Sequence, residues 1–144
     1  MTMFKNILLS VDLQDEDSTR KALNLCVEMC RAMGAKLNIL TVVPDFGLPV
    51  VEQYFPKDAE AKMIAEAKRQ LTEVCCADIP EDIKVRHIVA QGAIYHRIIE
   101  MADKVDADLI VVTAHRPELK DYLLGPNAAR VVRHSERSVL VVRS

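Results

Sequence analysis

The segment that begins at Gly125 carries residue types that could bind a phosphate group. It reads Gly-Pro-Asn-Ala-Ala, and glycine followed by proline is typical of a helix start, because proline fits the first helical position without losing a hydrogen bond. The next two backbone N–H groups then point out of the helix end, together with the positive end of its dipole. The predicted phosphate-binding residues are Gly125, Pro126, Asn127 and Ala128. An ordinary helix cap is the alternative interpretation.

A loop precedes this helix start and opens with Thr113, Ala114, His115 and Arg116. The planar guanidinium of Arg116 is suited to closing on a phosphate, although it could also be a solvated loop residue. His115 could contact the phosphate or act as an acid–base group. No nucleophile or carboxylate partner stands beside it in the sequence, so we predict ligand contact rather than catalysis.

A run of acidic residues lies near the N-terminus, at Asp12, Asp15, Glu16 and Asp17. Such carboxylates could hold a divalent cation that accompanies a phosphate group. The alternative is a charged turn that leads into a helix, with Asp17 or Ser18 as the N-cap. We favour the charged turn for all of them except Asp12, which we predict to be a ligand-binding residue.

Alternating strands and helices must position these groups. Short apolar runs predict five strands, at residues 5–12, 36–43, 84–90, 108–114 and 138–143. Apolar residues at helical spacing predict four helices, at residues 17–33, 57–77, 93–105 and 126–135. This order predicts an α/β fold with a parallel, doubly wound sheet and helices on both faces. Ligands of such sheets bind beyond the carboxyl ends of the strands, where the strand order reverses. There the sequence places Ser10, Val11, Asp12, Val42, Thr113 and Ala114.

Composition limits the possible functions. The chain has 144 residues, half of them apolar, which predicts one domain over residues 1–144 with a substantial core. The formal net charge of −2, with interspersed signs, argues against generic binding of nucleic acid. The apolar start is too short for a signal peptide, and no run approaches a membrane helix, so we expect a cytoplasmic protein. The spacing of the cysteines fits no zinc site, and we predict reduced thiols, with a redox-sensitive Cys75/Cys76 pair as the alternative.

Residues 111–143 read VVTAHRPELKDYLLGPNAARVVRHSERSVLVVR. This stretch resembles the C-terminal signature of the universal stress protein family, and most closely its branch with a His-Arg-Pro loop and a Leu-Leu-Gly-x-Asn-Ala-Ala helix start. The opening KNILLSVDLQDEDSTRKAL and the segment LNILTVVP resemble the first two strands of the family. The resemblance covers essentially the whole chain, and it implies a Rossmann-like nucleotide-binding sheet of strand order 3-2-1-4-5.

The resemblance also implies a ligand, ATP, with Mg²⁺ as a candidate companion. It places Asp12 and the backbone of Ser10 near the adenosine, and the backbone of Val42 on the adenine edge. ATP-binding members carry G-x2-G-x9-G-[ST] after the fourth strand. Here Thr113 and Arg116 stand at the first two glycines, only eight residues separate Arg116 from Gly125, and Pro126 replaces the hydroxyl residue. We therefore expect ATP binding with altered phosphate contacts.

The last strand, Ser138–Arg143, is an apolar run without proline, and an unprotected sheet edge of this kind invites pairing with a second chain. We predict a homodimer through this strand, as the resemblance also implies. Residues 46–55 hold three of the six aromatic residues and predict a lid over the adenine or a further contact in a tetramer.

The functional hypothesis is a regulatory ATP-binding module of the stress response, with a membrane transport system as a possible client. A slow ATPase or autophosphorylating enzyme is the second hypothesis, and a dimeric stress protein without nucleotide is the third. The chain has no Walker lysine loop and no evident catalytic base, which favours binding over catalysis.

Overall fold

The computed structural model describes residues 4–43, 59–76, 79–114 and 125–143, and these ranges form a single five-stranded sheet flanked by helices. The elements in chain order are β1 (Asn6–Ser10), α1 (Glu16–Met33), β2 (Lys36–Val43), α2 (Ala59–Cys76), β3 (Val85–Gln91), α3 (Ile94–Lys104), β4 (Leu109–Ala114), α4 (Pro126–His134) and β5 (Ser138–Arg143).

The sheet has the order β3-β2-β1-β4-β5, and all four neighbouring pairs are parallel. This confirms the predicted fold class and strand order. The strands lie where the apolar runs placed them, and their ends differ from the prediction by two residues at most. Strand β1 is central because the chain first winds outwards through β2 and β3, and then returns to the other side for β4 and β5.

Two apolar layers cover the sheet. On one face, α1 and α2 pack through residues such as Leu23 and Leu71 against the alternate β1 side chains Ile7 and Leu9. On the other face, α3 and α4 pack against the β1 side chain of Leu8. Successive strand residues point to opposite faces, so strands that are buried on both sides have to be apolar throughout.

Helix α1 shows how local sequence sets the ends of an element. It ends at Gly34, whose φ of 68° is left-handed and whose N–H donates to the Cys30 carbonyl at 2.7 Å. Its N-cap is Asp15, which accepts a hydrogen bond from the Ser18 N–H at 3.2 Å. The prediction of Asp17 or Ser18 as the cap is therefore wrong. Both lie inside the first turn, and Ser18 is buried there.

Polar side chains close the amino-terminal edge of the sheet. The Asp108 carboxylate accepts from the Lys5 N–H at 2.8 Å and the Asn6 N–H at 3.0 Å. The buried Asn38 amide donates to Asn6 Oδ1 at 2.7 Å. Because these groups satisfy one another, this edge has few polar groups left for a ligand.

The described cysteines, Cys26, Cys30 and Cys75, are buried. Burial raises the pKa of the Cys26 thiol to about 12 and that of Cys30 to about 11, which keeps both in the unreactive protonated form. The side chain of Cys76 lies outside the described residues, and so does the predicted Cys75/Cys76 pair. None of the helices in the described ranges has the length and apolarity that a membrane crossing requires.

Candidate functional site

A cleft of about 170 Å³ opens at the carboxyl ends of β1, β2 and β4. It lies where the chain changes direction across the sheet, the position at which doubly wound folds bind ligands. Ten of the twelve predicted site residues line it, namely Ser10, Val11, Asp12, Val42, Thr113, Ala114, Gly125, Pro126, Asn127 and Ala128. The structure thus brings together residues from three strands and one helix that lie up to 118 positions apart in the sequence.

The other two predicted residues, His115 and Arg116, lie outside the described residues. The predicted lid or tetramer contact at residues 46–55 lies outside them as well. Their roles stay predictions.

The carboxyl end of β1 is held in a tight turn. The Val11 N–H donates to the Leu40 carbonyl at 2.9 Å, which is the last backbone bond between β1 and β2. Asp12 Oδ1 then accepts from the Gln14 N–H at 2.9 Å, and Thr19 Oγ1 donates to the Asp12 carbonyl at 2.9 Å. These bonds fix the exposed Asp12 carboxylate at the mouth of the cleft.

The end of β2 offers free backbone groups to the cleft. The Val43 carbonyl accepts from the Gly92 N–H at 3.0 Å on the β3 side of the strand. Backbone groups alternate in direction along a strand, so the N–H and C=O of Val42 face the β1 side. Residue pairing with β1 has already ended there, at Ser10 and Leu40. Within the described residues, Val42 therefore presents one donor and one acceptor without a backbone partner.

Helix α4 begins without a side-chain cap. Its N-cap is Gly125, at φ 86° and ψ 156°, and Pro126 follows at the first helical position. The Ala129 N–H donates to the Gly125 carbonyl at 3.1 Å, which closes the first turn. The N–H groups of Asn127 and Ala128 precede that turn and have no acceptor within the helix. Both residues line the cleft.

Sequence reasoning missed five lining residues: Asp15, Thr41, Ile94, Ile98 and Val112. Thr41 Oγ1 donates to the Val11 carbonyl at 3.3 Å, which ties the ends of β1 and β2 together. Ile94 and Ile98 are four residues apart on α3 and form an apolar wall of the cleft. Their helical spacing was the sequence signal available for these two residues, but it predicted only a helix face that packs in the core, not a wall of the cleft.

The charges around the cleft differ from helix to helix. Helix α1 has Glu16 and Asp17 in its first turn, whereas the first turns of α3 and α4 contain no acidic residue. In the part of the chain that the structure describes, no group of three or more histidine, cysteine or acidic side chains is arranged to hold a metal ion. These residues therefore form no protein cage for the predicted magnesium. The carboxylates that line the cleft are Asp12 and Asp15, and Asp15 already caps α1.

A doubly wound parallel sheet with a cleft at its switch point and an uncapped helix beside it is an arrangement at which α/β proteins commonly bind small ligands. Comparison with known proteins identifies the family. The model of the universal stress protein family matches residues 3–143, and the chain belongs to this family.

The similarity to individual members extends over nearly whole chains. Universal stress protein G of Escherichia coli O157:H7 is 25% identical over 143 residues, which cover 98% of this chain and 100% of that protein. The structure of protein MJ0577 of Methanocaldococcus jannaschii is 25% identical, with a TM-score of 0.80 over 99% of this chain and 98% of that one. A universal stress protein solved in complex with cAMP is 26% identical, with a TM-score of 0.62 over 97% of each chain.

Proposed function

We propose that this chain binds ATP in the cleft at the carboxyl ends of β1, β2 and β4, and that it acts as a regulatory module of the stress response. The observation that carries the proposal is the convergence on one cleft of ten residues that the sequence predicts for this role. The proposal also places the chain in the ATP-binding branch of the family with a His-Arg-Pro loop.

The adenine fits the apolar part of the cleft. One edge of adenine carries an adjacent donor and acceptor, and the free C=O and N–H of Val42 form the complementary pair. The side chains of Ile94 and Ile98 supply an apolar surface for a flat ring. The relative solved in complex with cAMP contains an adenine nucleotide, which supports this class of ligand.

The phosphates belong at the start of α4. The free N–H groups of Asn127 and Ala128 and the helix dipole favour a negative group there. Pro126 offers neither a hydroxyl nor an N–H, so the helix supplies fewer phosphate contacts than the family motif implies. We propose that Arg116 adds a charged contact to the phosphates, and that Mg²⁺ accompanies ATP beside Asp12.

Titration calorimetry with ATP tests the site through the variant Asn127→Asp. This nearly isosteric change places a carboxylate beside the proposed phosphate, so we expect binding to weaken by about tenfold or more. Asn24→Asp is the matched control, because Asn24 is an exposed residue of α1 outside the cleft lining. This variant should bind ATP like the unmodified chain.

Mass spectrometry of nucleotide released from the freshly purified, denatured protein provides a second readout, and we expect ATP. Equal affinities in the two aspartate variants would remove α4 from the site. If no nucleotide is released and calorimetry detects no ATP binding, the nucleotide-free stress protein becomes the better hypothesis, with Pro126 as its explanation.

We also propose a homodimer through β5. This strand lies at one edge of the sheet, and helix α4 leads directly into it. Its alternate side chains extend the apolar layers of both sheet faces, with Val139 and Val141 on the α4 side. Two such edges related by a twofold axis can pair antiparallel and continue both layers. Nucleotide at the start of α4 and assembly at β5 would then be linked through one short segment.

Analytical ultracentrifugation of Val141→Lys tests the dimer, and we expect a monomer. Val89→Lys is the control, because Val89 is a half-buried valine on β3, the opposite edge strand. A Val141→Lys protein that remains a dimer of unchanged affinity would place the interface elsewhere.

Three further predictions rest on the sequence and the family resemblance alone. They are a tetramer contact through residues 46–55, a membrane transport system as the client and a cytoplasmic location.

A further inference from the structure

The outer side of α3 and α4 carries an aromatic ring surrounded by basic side chains. The Arg130 guanidinium lies over the Tyr95 ring, 5.1 Å from its centroid. The His96 ring stacks at 4.3 Å from the same ring, and the His134 ring lies tilted at 6.2 Å. We call these four residues the Tyr95 platform. Arg130, His96 and His134 are all exposed, so the platform is open to solvent on its basic side.

The positive charge of this face is not balanced within the described residues. Helix α4 contains Arg130 and Arg133 but no acidic residue. The two acidic residues of α3, Glu100 and Asp103, already form salt bridges with other basic side chains. No described carboxylate lies within salt-bridge distance of Arg130 or Arg133. The chain as a whole carries a formal net charge of −2, so this local excess does not reflect a generally basic surface.

Another exposed arginine, on α2, has the acidic partners that Arg130 lacks among the described residues. Arg69 on α2 lies between two carboxylates, at 2.6 Å from Glu66 and 2.7 Å from Glu73. Its hydrogen-bonding capacity is used within its own helix. The Arg130 guanidinium instead lies over the Tyr95 ring, and no described carboxylate forms a salt bridge with it.

We propose that the Tyr95 platform and Arg133 dock an acidic segment of another protein. Charge complementarity favours an acidic occupant, because Arg130 and Arg133 have no carboxylate partner among the described residues. Tyrosine and arginine are also among the residue types most enriched at the energetic centres of protein interfaces. Arg130 and Arg133 are three residues apart on α4, so they lie on neighbouring turns of the same helix surface. This surface is separate from the proposed nucleotide cleft, whose described lining contains none of these residues.

The test uses fluorescein-labelled octaglutamate as the probe, with fluorescence anisotropy at low ionic strength and excess ATP either present or absent. We expect Arg130→Gln to weaken binding by about tenfold, the scale of a lost charge-assisted hydrogen bond. Arg69→Gln removes the same charge from an arginine that already has partners, so this control should bind the probe like the unmodified chain. Backbone amide shifts in an NMR titration should change on α3 and α4.

Four outcomes would overturn the proposal. Absence of probe binding would show that the face has no affinity for acidic segments. Equal losses in the two glutamine variants would show that only the overall charge matters. Tighter binding of octathymidylate than of octaglutamate, through the same face, would assign it to nucleic acid. Loss of the probe in excess ATP, with shift changes confined to the cleft, would likewise overturn the proposal, because the probe would then occupy the nucleotide site. Failure of ATP to bind leaves the docking test intact.

Discussion

Helices α1 and α4 both begin at the carboxyl edge of the sheet, on opposite faces, but they begin in different ways. Helix α1 starts at Asp15, whose carboxylate accepts from the Ser18 N–H, and Glu16 and Asp17 follow in its first turn. Helix α4 starts at Gly125, which has no side chain, and its first turn contains no acid. Helix α1 therefore supplies anions to its own positive end, whereas no described residue in the first turn of α4 supplies one.

The difference teaches where a ligand can bind. Both helix starts offer unsatisfied N–H groups and a positive dipole end. At α1 the chain itself has filled the position with carboxylate, so a phosphate there would meet repulsion. At α4 a glycine and a proline keep side chains away from the helix end, and the neighbouring strand ends provide the rest of the cleft. Adding an acidic residue to the start of α4 should therefore change stability and binding in opposite directions.

The largest effect is expected for Gly125→Ala. At φ 86° and ψ 156°, Gly125 occupies a region that is nearly exclusive to glycine, so alanine should cost up to about 3 kcal/mol of unfolding free energy. Gly34→Ala at the end of α1 is the comparison. Its φ of 68° and ψ of 31° are left-handed helical, and an added Cβ would meet no atom within 4 Å, so the cost should be about 1 kcal/mol.

Urea denaturation of both variants measures the difference, and calorimetry with ATP measures its consequence. Gly125→Ala should also weaken ATP binding because it displaces the start of α4, whereas Gly34→Ala should leave binding unchanged. Equal losses of stability in the two variants would contradict the strained backbone at Gly125.

The strands and helices could be predicted from the sequence because each has a clear pattern of apolar residues. β1, β2 and β4 are apolar on consecutive residues, and Gly34 and Pro126 mark helix ends by their backbone geometry alone. Strand order could not come from periodicity, since it depends on which strands meet in space. It came from the family resemblance, and the structure agrees.

The lining of the cleft was predictable where it follows the ends of strands and not where it depends on how a helix packs on the sheet. The carboxyl ends of the strands gave Asp12, Val42 and Thr113 directly, because parallel strands end at one edge. Ile98 lies in the middle of α3, and only the packing of that helix on the sheet brings it to the cleft. The N-cap of α1 was misplaced by two or three residues because Asp15, Asp17 and Ser18 are all residue types that can act as caps, and the turn after β1 decides between them.

The cap itself provides the next prediction. Asp15→Ala should lower the free energy of unfolding by about 1 kcal/mol, because it removes the acceptor of the Ser18 N–H at the start of α1. Ser18→Ala should have little effect or stabilise slightly, since within the described residues the buried Ser18 Oγ has no hydrogen-bond partner. Urea denaturation compares the two. A larger loss in Ser18→Ala would restore the cap that the sequence predicted.

The smallest effect concerns the charge at the two helix starts, measured without ligand. Glu16→Gln removes a carboxylate from the first turn of α1 and should cost about 0.3–1 kcal/mol. Asn127→Asp adds one to the first turn of α4 and should stabilise the ligand-free protein by a similar amount, about 0.3–1 kcal/mol. Both changes in the free energy of unfolding should become smaller in 1 M salt, where the screening length falls to about 3 Å. The same Asn127→Asp variant should bind ATP more weakly, so stability and affinity would move in opposite directions. If Asn127→Asp lowered both the unfolding free energy and the affinity for ATP, the side chain of Asn127 would be shown to support the fold. The start of α4 would then not be a site for an external anion.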